Sequence, residues 1–137
     1  MKPKSPDAAR VWQRVLSPEP VEQLSLQMLM RQLSLDIAYL KHRSKGGGDS
    51  TTELLVREYT DQFHSLKGIA LLTGSNLPRE ATGIADHSLR RCYDHALQRL
   101  GAYQLRTSDP VYGSVFRCLA RQTEQHCLRI TQLLGSR

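Results

Sequence analysis

The sequence predicts an all-α fold, an up-down-up-down four-helix bundle with a short extra helix at its N-terminus. Apolar residues recur at helical spacing through four long segments, and no segment shows the period-two alternation of a half-buried strand. Short breaks that contain glycine or proline separate these segments, and long helices joined by short loops are typical of bundles. With 137 residues, of which 39% are hydrophobic and 23% charged, the chain has the composition of one globular domain.

The chain is predicted to divide into an N-terminal extension, residues 1–19, and the bundle, residues 20–137. In the extension, Asp7 can cap a short helix, which the following proline-containing segment ends. The first long helix is predicted to begin at Pro20 and to end near Ser44, before three glycines. Its apolar residues form two stripes: Leu26, Met30, Leu33, Ile37 and Leu40, and Val21, Leu24, Met28, Leu35 and Tyr39. Because a helix that is apolar on two sides is buried on both or contacts a second chain, we expect a homodimer formed through this helix.

The second long helix is predicted to open with the capping-box pattern of residues 50–53 and to end at Gly74. The third is predicted to run from about Ile84 or Asp86 to Arg106. Their core-facing residues are predicted to be Leu55, Tyr59, Phe63, Leu66, Ile69 and Ala70, and Leu89, Tyr93, Ala96, Leu100 and Tyr103.

The fourth long helix is predicted to run from Pro110 to about Leu134, after a tight junction in which Ser108 or Asp109 can cap. Its apolar stripe contains two polar residues and reads Tyr112, Phe116, Leu119, Thr123, His126, Ile130 and Leu133. The alternating spacing of three and four along this stripe is typical of helices packed in a bundle.

The chain is basic, with a net charge of +6, which raises the question of nucleic-acid binding. Its arginines are scattered rather than interleaved with aromatic residues: Arg90, Arg91, Arg99, Arg106, Arg117, Arg121 and Arg129. We therefore interpret them as a solvated helix surface and expect no nucleic-acid partner. The longest apolar run is far too short to cross a membrane, so no membrane partner is expected either. Three cysteines and no apolar N-terminal segment favour a cytoplasmic location.

Two helices carry residues that could bind a metal ion. On the second helix, Asp61 and His64 are three residues apart and therefore face the same way. They lie away from the core stripe on a second, partly apolar face, so they are buried ligands only if that face is also covered; otherwise His64 is a surface histidine. On the fourth, His126 and Thr123 lie inside the apolar stripe, where an unpaired polar group would be costly. Two alternatives satisfy this requirement. His126 is either a buried histidine bonded to a neighbouring side chain or a metal ligand. Gln32, among apolar residues of the first helix, is either a satisfied core amide or a weak ligand.

The remaining polar residues are predicted to lie at the surface or to be secondary candidates. Glu58 and Asp94 are carboxylates near the candidate pairs and could complete a site, whereas Glu124 falls off the helix 4 stripe. The other histidines, His42, His87 and His95, have no partner at ligand spacing and are interpreted as surface residues. The cysteines form no C-x-x-C pair, which argues against a zinc ribbon or a rubredoxin-like iron site.

Two segments carry a family resemblance. Residues 58–74, Glu-Tyr-Thr-Asp-Gln-Phe-His-Ser-Leu-Lys-Gly-Ile-Ala-Leu-Leu-Thr-Gly, resemble the second helix of small bacterial ferritin-like domains of the rubrerythrin type. Residues 109–116 and 119–126 resemble the start and body of the fourth helix. The resemblance extends over roughly Val21 to Gly135 and implies a four-helix bundle around two metal ions with redox chemistry on peroxide or oxygen.

The family pattern is one Glu from each of two helices and Glu-x-x-His from each of the other two. The resemblance puts these positions at Gln32, at Asp61 with His64, near Ala96, and at Thr123 with His126. Both histidines are retained, but a carboxylate remains at only one position.

This departure determines the expected function. Two divalent ions need several carboxylates in a low-dielectric core, and burying even one unpaired charge costs several kcal/mol. We expect a bundle that has largely lost its di-iron site, is non-catalytic and binds metal weakly or not at all. Asp61, His64 and His126 could still hold one zinc-like ion, or could form a metal-free polar core. The alternative is an oxidoreductase that uses iron, manganese or zinc at an atypical site, for which the sequence identifies no catalytic residue.

Overall fold

A computed structural model describes residues 24–47, 49–79 and 83–135. It contains four helices, α1 (Leu26–Lys45), α2 (Ser50–Thr73), α3 (Leu89–Leu105) and α4 (Gly113–Gly135). No strand occurs in the described part of the chain, so the all-α prediction is confirmed. The predicted short N-terminal helix and the predicted helix start at Pro20 fall outside the described residues.

Side-chain caps define where three of the helices begin. Ser25 has an extended backbone and accepts a hydrogen bond from the Met28 amide at 3.2 Å, so it caps α1, which begins at Leu26. The N-cap of α2 is Asp49, whose side chain accepts a hydrogen bond from the Thr52 amide at 2.7 Å. It replaces the capping box predicted at 50–53. Ser88 caps α3 in the same way, so this helix begins later than predicted.

The connection between α3 and α4 is the tight junction that the sequence predicts. The Asp109 carboxylate accepts from the amides of Val111 and Tyr112, both at 2.8 Å. At the start of α4, Gly113 is buried, and a Cβ added there would lie 2.5 Å from the Thr107 carbonyl oxygen. Only glycine permits this close approach of the two backbone segments.

Helices that follow one another in sequence pack together, α1 on α2 and α3 on α4, and the two pairs meet through α1 with α3 and α2 with α4. Every helical residue of the stripe predicted on α4 is buried. On α3 the buried face is rotated from the prediction, because Cys92 and Arg99 are buried while Tyr93 and Leu100 are only partly buried. The apolar core between the helices has these members: Leu24, Leu29, Met30, Leu33, Leu40, Leu55, Tyr59, Leu66, Ile69, Ala70, Leu89, Cys92, Ala96, Ala102, Tyr103, Phe116, Leu119, Ala120, Ile130 and Leu133.

The second predicted stripe of α1 is only partly covered within one chain. Met28 is 48% exposed, while Leu35 and Tyr39 are half-buried. Among the described helices, none is both long and apolar enough for a membrane span.

Candidate functional site

Among the described residues, six that are polar or charged are buried in the interior of the bundle: Asp36, Thr52, Gln62, Arg99, Thr123 and His126. Most of them belong to two groups. The Asp36 cluster consists of Asp36, His87, Cys92, His95 and Arg99. The Gln62 cluster consists of Tyr59, Gln62, Tyr103, Thr123 and His126. The two clusters meet where the Arg99 guanidinium lies over the Tyr59 ring, 4.8 Å from its centroid.

The Asp36 carboxylate is the hub of the first cluster, and its two oxygens have different partners. Oδ1 lies 2.7 Å from His87 Nε2 and 2.8 Å from His95 Nδ1. Oδ2 accepts from Arg99 NH1 at 2.9 Å. Asp36 and Arg99 are fully buried, and the side chains of His87 and His95 are 2% and 21% exposed. A buried carboxylate with three hydrogen-bonding partners is well satisfied.

Electrostatics keep Asp36 ionised. Burial acts to raise the pKa of its carboxyl, but the hydrogen bonds from His87 and His95 and the positive charge of Arg99 outweigh burial and lower the pKa below its usual value. Arg99 is cationic at any physiological pH. The interior therefore holds a desolvated ion pair, whose negative member comes from α1 and whose positive member comes from α3.

Cys92 adds a sulfur donor to the same cluster. Its Sγ lies 3.5 Å from His87 Nε2, and burial raises the pKa of the thiol above its usual value. One atom each from Asp36, His87 and Cys92 lie within 4.8 Å of one another. Among the described residues, no other three His, Cys, Asp or Glu side chains meet in this way.

The Gln62 cluster is built around a side-chain amide. Gln62 Oε1 accepts from the Tyr103 hydroxyl at 3.0 Å, and Gln62 Nε2 donates to Thr123 Oγ1 at 3.1 Å and to Gln122 Oε1 at 2.9 Å. Thr123 in turn donates to the Leu119 carbonyl at 2.6 Å. The amide of α2 thereby links α3 to α4 through neutral hydrogen bonds.

His126 lies beside this amide network, with its ring 4.7 Å from that of Tyr59. Burial and the positive charges of Arg99 and Arg129 lower the pKa of His126 to about 3, so its ring is neutral near pH 7. Its Nε2 lies 3.0 Å from Oε1 of Glu58, whose side chain is 24% exposed. His126 is thus buried and has a side-chain partner, which is one of the two alternatives that the sequence left open.

The structure does not bring the three predicted metal ligands together. Asp61 and His64 are exposed on α2, whereas His126 is buried. The pair on α2 that faces the interior, three residues apart, is Tyr59 with Gln62. The difference of two residues corresponds to a rotation of about 200° around a helix, which carries the predicted pair to the solvent side.

The weaker predicted ligands have ordinary partners. Gln32 donates to Gln98 Oε1 at 2.6 Å across α1 and α3. Asp94 is exposed and lies 3.6 Å from Arg90, one turn away. Thr123 belongs to the Gln62 cluster, and Glu58 contacts His126 as described above.

The Asp36 cluster was not predicted from the sequence. His87 and His95 were expected at the surface and Arg99 on a solvated face, and the structure corrects all three. One signal was present in the sequence: Asp36 lies three residues after Leu33 and four before Leu40, on the core face of α1. An acidic residue in that position needs a cation or several donors from another helix.

Comparison with protein-family models, with curated proteins and with solved structures gives no match for this chain. The ferritin-like resemblance therefore rests on the sequence motifs alone.

Proposed function

We propose that this chain is a ferritin-like, rubrerythrin-related up-down-up-down bundle whose interior holds an ion pair in place of a di-iron centre. We further propose that it is non-catalytic and acts through its surface. The observation that carries this proposal is the fully buried Arg99 guanidinium, hydrogen-bonded to Asp36 between the helices. A bundle that keeps one cation permanently in its interior has little capacity for two more.

The charge balance supports the proposal. Among the described residues, Asp36 is the only buried acidic side chain. Its negative charge is already offset by Arg99, and Glu58 at the margin is the nearest further carboxylate to His126. Two divalent ions would add four positive charges to this low-dielectric region without matching anions, at a cost of several kcal/mol per ion.

The inward-facing pairs support the same conclusion. On α2 and α4 the residues that face the interior three positions apart are Tyr59 with Gln62 and Thr123 with His126. If the family pattern Glu-x-x-His applies at these positions, neither pair retains its glutamate and only His126 retains its histidine. Gln62 bonds instead to Thr123 and to Tyr103.

Reconstitution with iron or manganese tests the proposal. The purified full chain, stripped with a chelator, is incubated anaerobically with Fe²⁺ or Mn²⁺ in excess, desalted and measured by elemental analysis. It is then exposed to oxygen or peroxide, and iron oxidation is followed against protein-free buffer. We expect fewer than two ions per chain and no acceleration of iron oxidation. Two bound ions per chain with catalysed oxidation would establish the oxidoreductase alternative instead.

The proposal includes a homodimer formed through α1, supported by the exposure of Met28 beside half-buried Leu35 and Tyr39. Met28→Glu places a charge in that face and should convert a dimer to a monomer in light scattering coupled to gel filtration. Leu72→Glu, at a 77% exposed position near the end of α2, is the matched control and should leave the mass unchanged. A wild-type chain that is monomeric at high concentration would rule out the dimer.

A further inference from the structure

We infer that Asp36, His87 and Cys92 form a binding site for one zinc ion, with His95 and Arg99 as positioning residues. The site lies where α1 meets the residues just before α3 and its first turn. It requires one ion and three ligands, so it is distinct from the two-ion centre that the proposed function describes as lost, and it does not depend on any family membership.

The donor set favours zinc. A thiolate, an imidazole and a carboxylate are the three ligand types that zinc sites combine, and the thiolate disfavours magnesium and calcium. Zinc–nitrogen and zinc–sulfur bonds of roughly 2.0 Å and 2.3 Å put tetrahedral nitrogen and sulfur ligands roughly 3.5 Å apart. The distance between His87 Nε2 and Cys92 Sγ is 3.5 Å. Asp36 Oδ1, at 2.7 Å from His87 Nε2, would have to move away by roughly 0.6 Å.

The surroundings orient the carboxylate, as hydrogen-bonding partners of metal ligands do in known metal sites. Arg99 NH1 holds Oδ2 at 2.9 Å, which leaves Oδ1 directed at His87. His95 Nδ1, 2.8 Å from the same Oδ1, fixes the carboxylate from the opposite helix. Asp36 is therefore preorganised, and little side-chain freedom remains to be lost when an ion binds.

Charge and protons balance for one ion. Binding of Zn²⁺ releases the Cys92 thiol proton to solvent, and the proton on His87 Nε2 moves to Nδ1, which has no other partner among the described residues. The thiolate and Asp36 then offset the charge of the ion, and Arg99 leaves the cluster with one net positive charge. With two ions, the same region would carry a far larger excess of positive charge.

A surface pocket of about 290 Å³ adjoins the site and is lined by Leu35, Gly83, Ala85, Asp86, His87 and Arg91. Because His87 belongs both to this pocket and to the Asp36 cluster, the pocket is the side from which an ion would approach the buried ligands.

Metal titration of the full chain, purified without a histidine tag and stripped with a chelator, tests the inference. Zn²⁺ is titrated against a chromophoric chelator, and Co²⁺ serves as a spectroscopic probe. We expect one Zn²⁺ per chain, a Zn²⁺-dependent rise in Tm, and a thiolate-to-cobalt charge-transfer band in the near ultraviolet. The cobalt band reports thiolate ligation in the unmutated protein, and the cysteine variants below show which thiol supplies it.

Two pairs of variants assign the ligands. Cys92→Ser and His87→Ala should each weaken Zn²⁺ binding by more than about tenfold, since even the loss of a group that only orients a ligand has an effect of that size. Cys118→Ser and His64→Ala alter exposed residues of the same types and should bind like wild type. Circular dichroism confirms that each variant is helical before its affinity is compared.

Two results would contradict the zinc site. Absence of stoichiometric Zn²⁺ and of the cobalt band in the wild-type chain would overturn the inference, and so would loss of binding in His64→Ala but not in His87→Ala. One Zn²⁺ per chain without a second ion leaves the proposed function intact. Two oxidisable iron ions per chain would contradict the proposed function, and the zinc titration would still decide the zinc site by itself.

Discussion

The Asp36 cluster and the Gln62 cluster satisfy buried polar groups in opposite ways. In the Asp36 cluster, a carboxylate anion is held by Arg99 and two histidines, so the hydrogen bonds of this cluster depend on the charge of Asp36. In the second, an amide and two hydroxyls bond to one another without a net charge, and the neutral imidazole of His126 packs beside them against Tyr59. The first joins α1 to α3 and the residues just before it, the second joins α2 to α3 and α4, and the two touch through Tyr59 and Arg99.

This contrast indicates where the bundle is most vulnerable to substitution. A buried ion pair contributes little relative to apolar residues of the same shape, but removal of one partner leaves a desolvated charge. Removal of one member of a neutral network leaves an unsatisfied dipole, which costs less. We therefore expect substitutions in the Asp36 cluster to destabilise the fold more than substitutions in the Gln62 cluster.

The largest expected effect is that of Asp36→Asn. This change preserves shape but leaves the Arg99 guanidinium buried without its anion, and it should lower the free energy of unfolding by about 3–5 kcal/mol. Urea denaturation followed by circular dichroism measures the change.

Asp94→Asn is the matched control, because Asp94 also lies near an arginine but is exposed. It should change stability by less than about 1 kcal/mol. Similar values for the two variants would show that the charge of Asp36 is not needed inside the bundle.

The second-largest expected effect is a dependence of stability on pH that comes from His126 in the Gln62 cluster. The folded-state pKa of His126 is about 3, below the usual value of 6.5, so between these values the unfolded chain binds a proton that the folded chain excludes. The free energy of unfolding is therefore retained above about pH 6.5 and decreases as the pH falls. At pH 5 the decrease due to His126 alone is about 2 kcal/mol. Urea midpoints measured from pH 7 to pH 5 give the slope.

His126→Phe removes the titrating group and keeps an aromatic ring against Tyr59, so its stability should depend less on pH over that interval. His64→Gln removes an exposed histidine and should retain the wild-type slope. An unchanged slope in His126→Phe would mean that protonation of His126 is tolerated in the folded state, with Glu58 as its partner.

The smallest effect is expected for Thr123→Val. The change keeps the shape of the side chain but removes a hydroxyl that bonds both Gln62 and the Leu119 carbonyl, and it should cost about 1 kcal/mol. Thr131, exposed on the same helix, makes the same type of bond to the Cys127 carbonyl. Thr131→Val should therefore change stability by less than about 0.5 kcal/mol, and equal losses would contradict a role for the Gln62 network.

The helices were predictable because their signals are local. Periodicity identified all four, and the stripe on α4 was predicted residue by residue, including Thr123 and His126. The pair on α2 was predicted at the wrong positions, because Asp61 and His64 are a carboxylate and an imidazole three residues apart. Tyr59 and Gln62 have the same spacing but are not typical metal ligands.

Local sequence patterns were sufficient to establish that the chain is helical, where the breaks fall, and that one buried histidine needs a partner. The contents of the interior became known only from the packing of the helices. Asp36 and Arg99 are separated by 63 residues, and neither position indicates its partner until packing of α1 against α3 places them together. Helical periodicity is a property of one segment, whereas the rotation of each helix about its axis is set by all of its neighbours at once, and that rotation determines which polar groups share the desolvated interior.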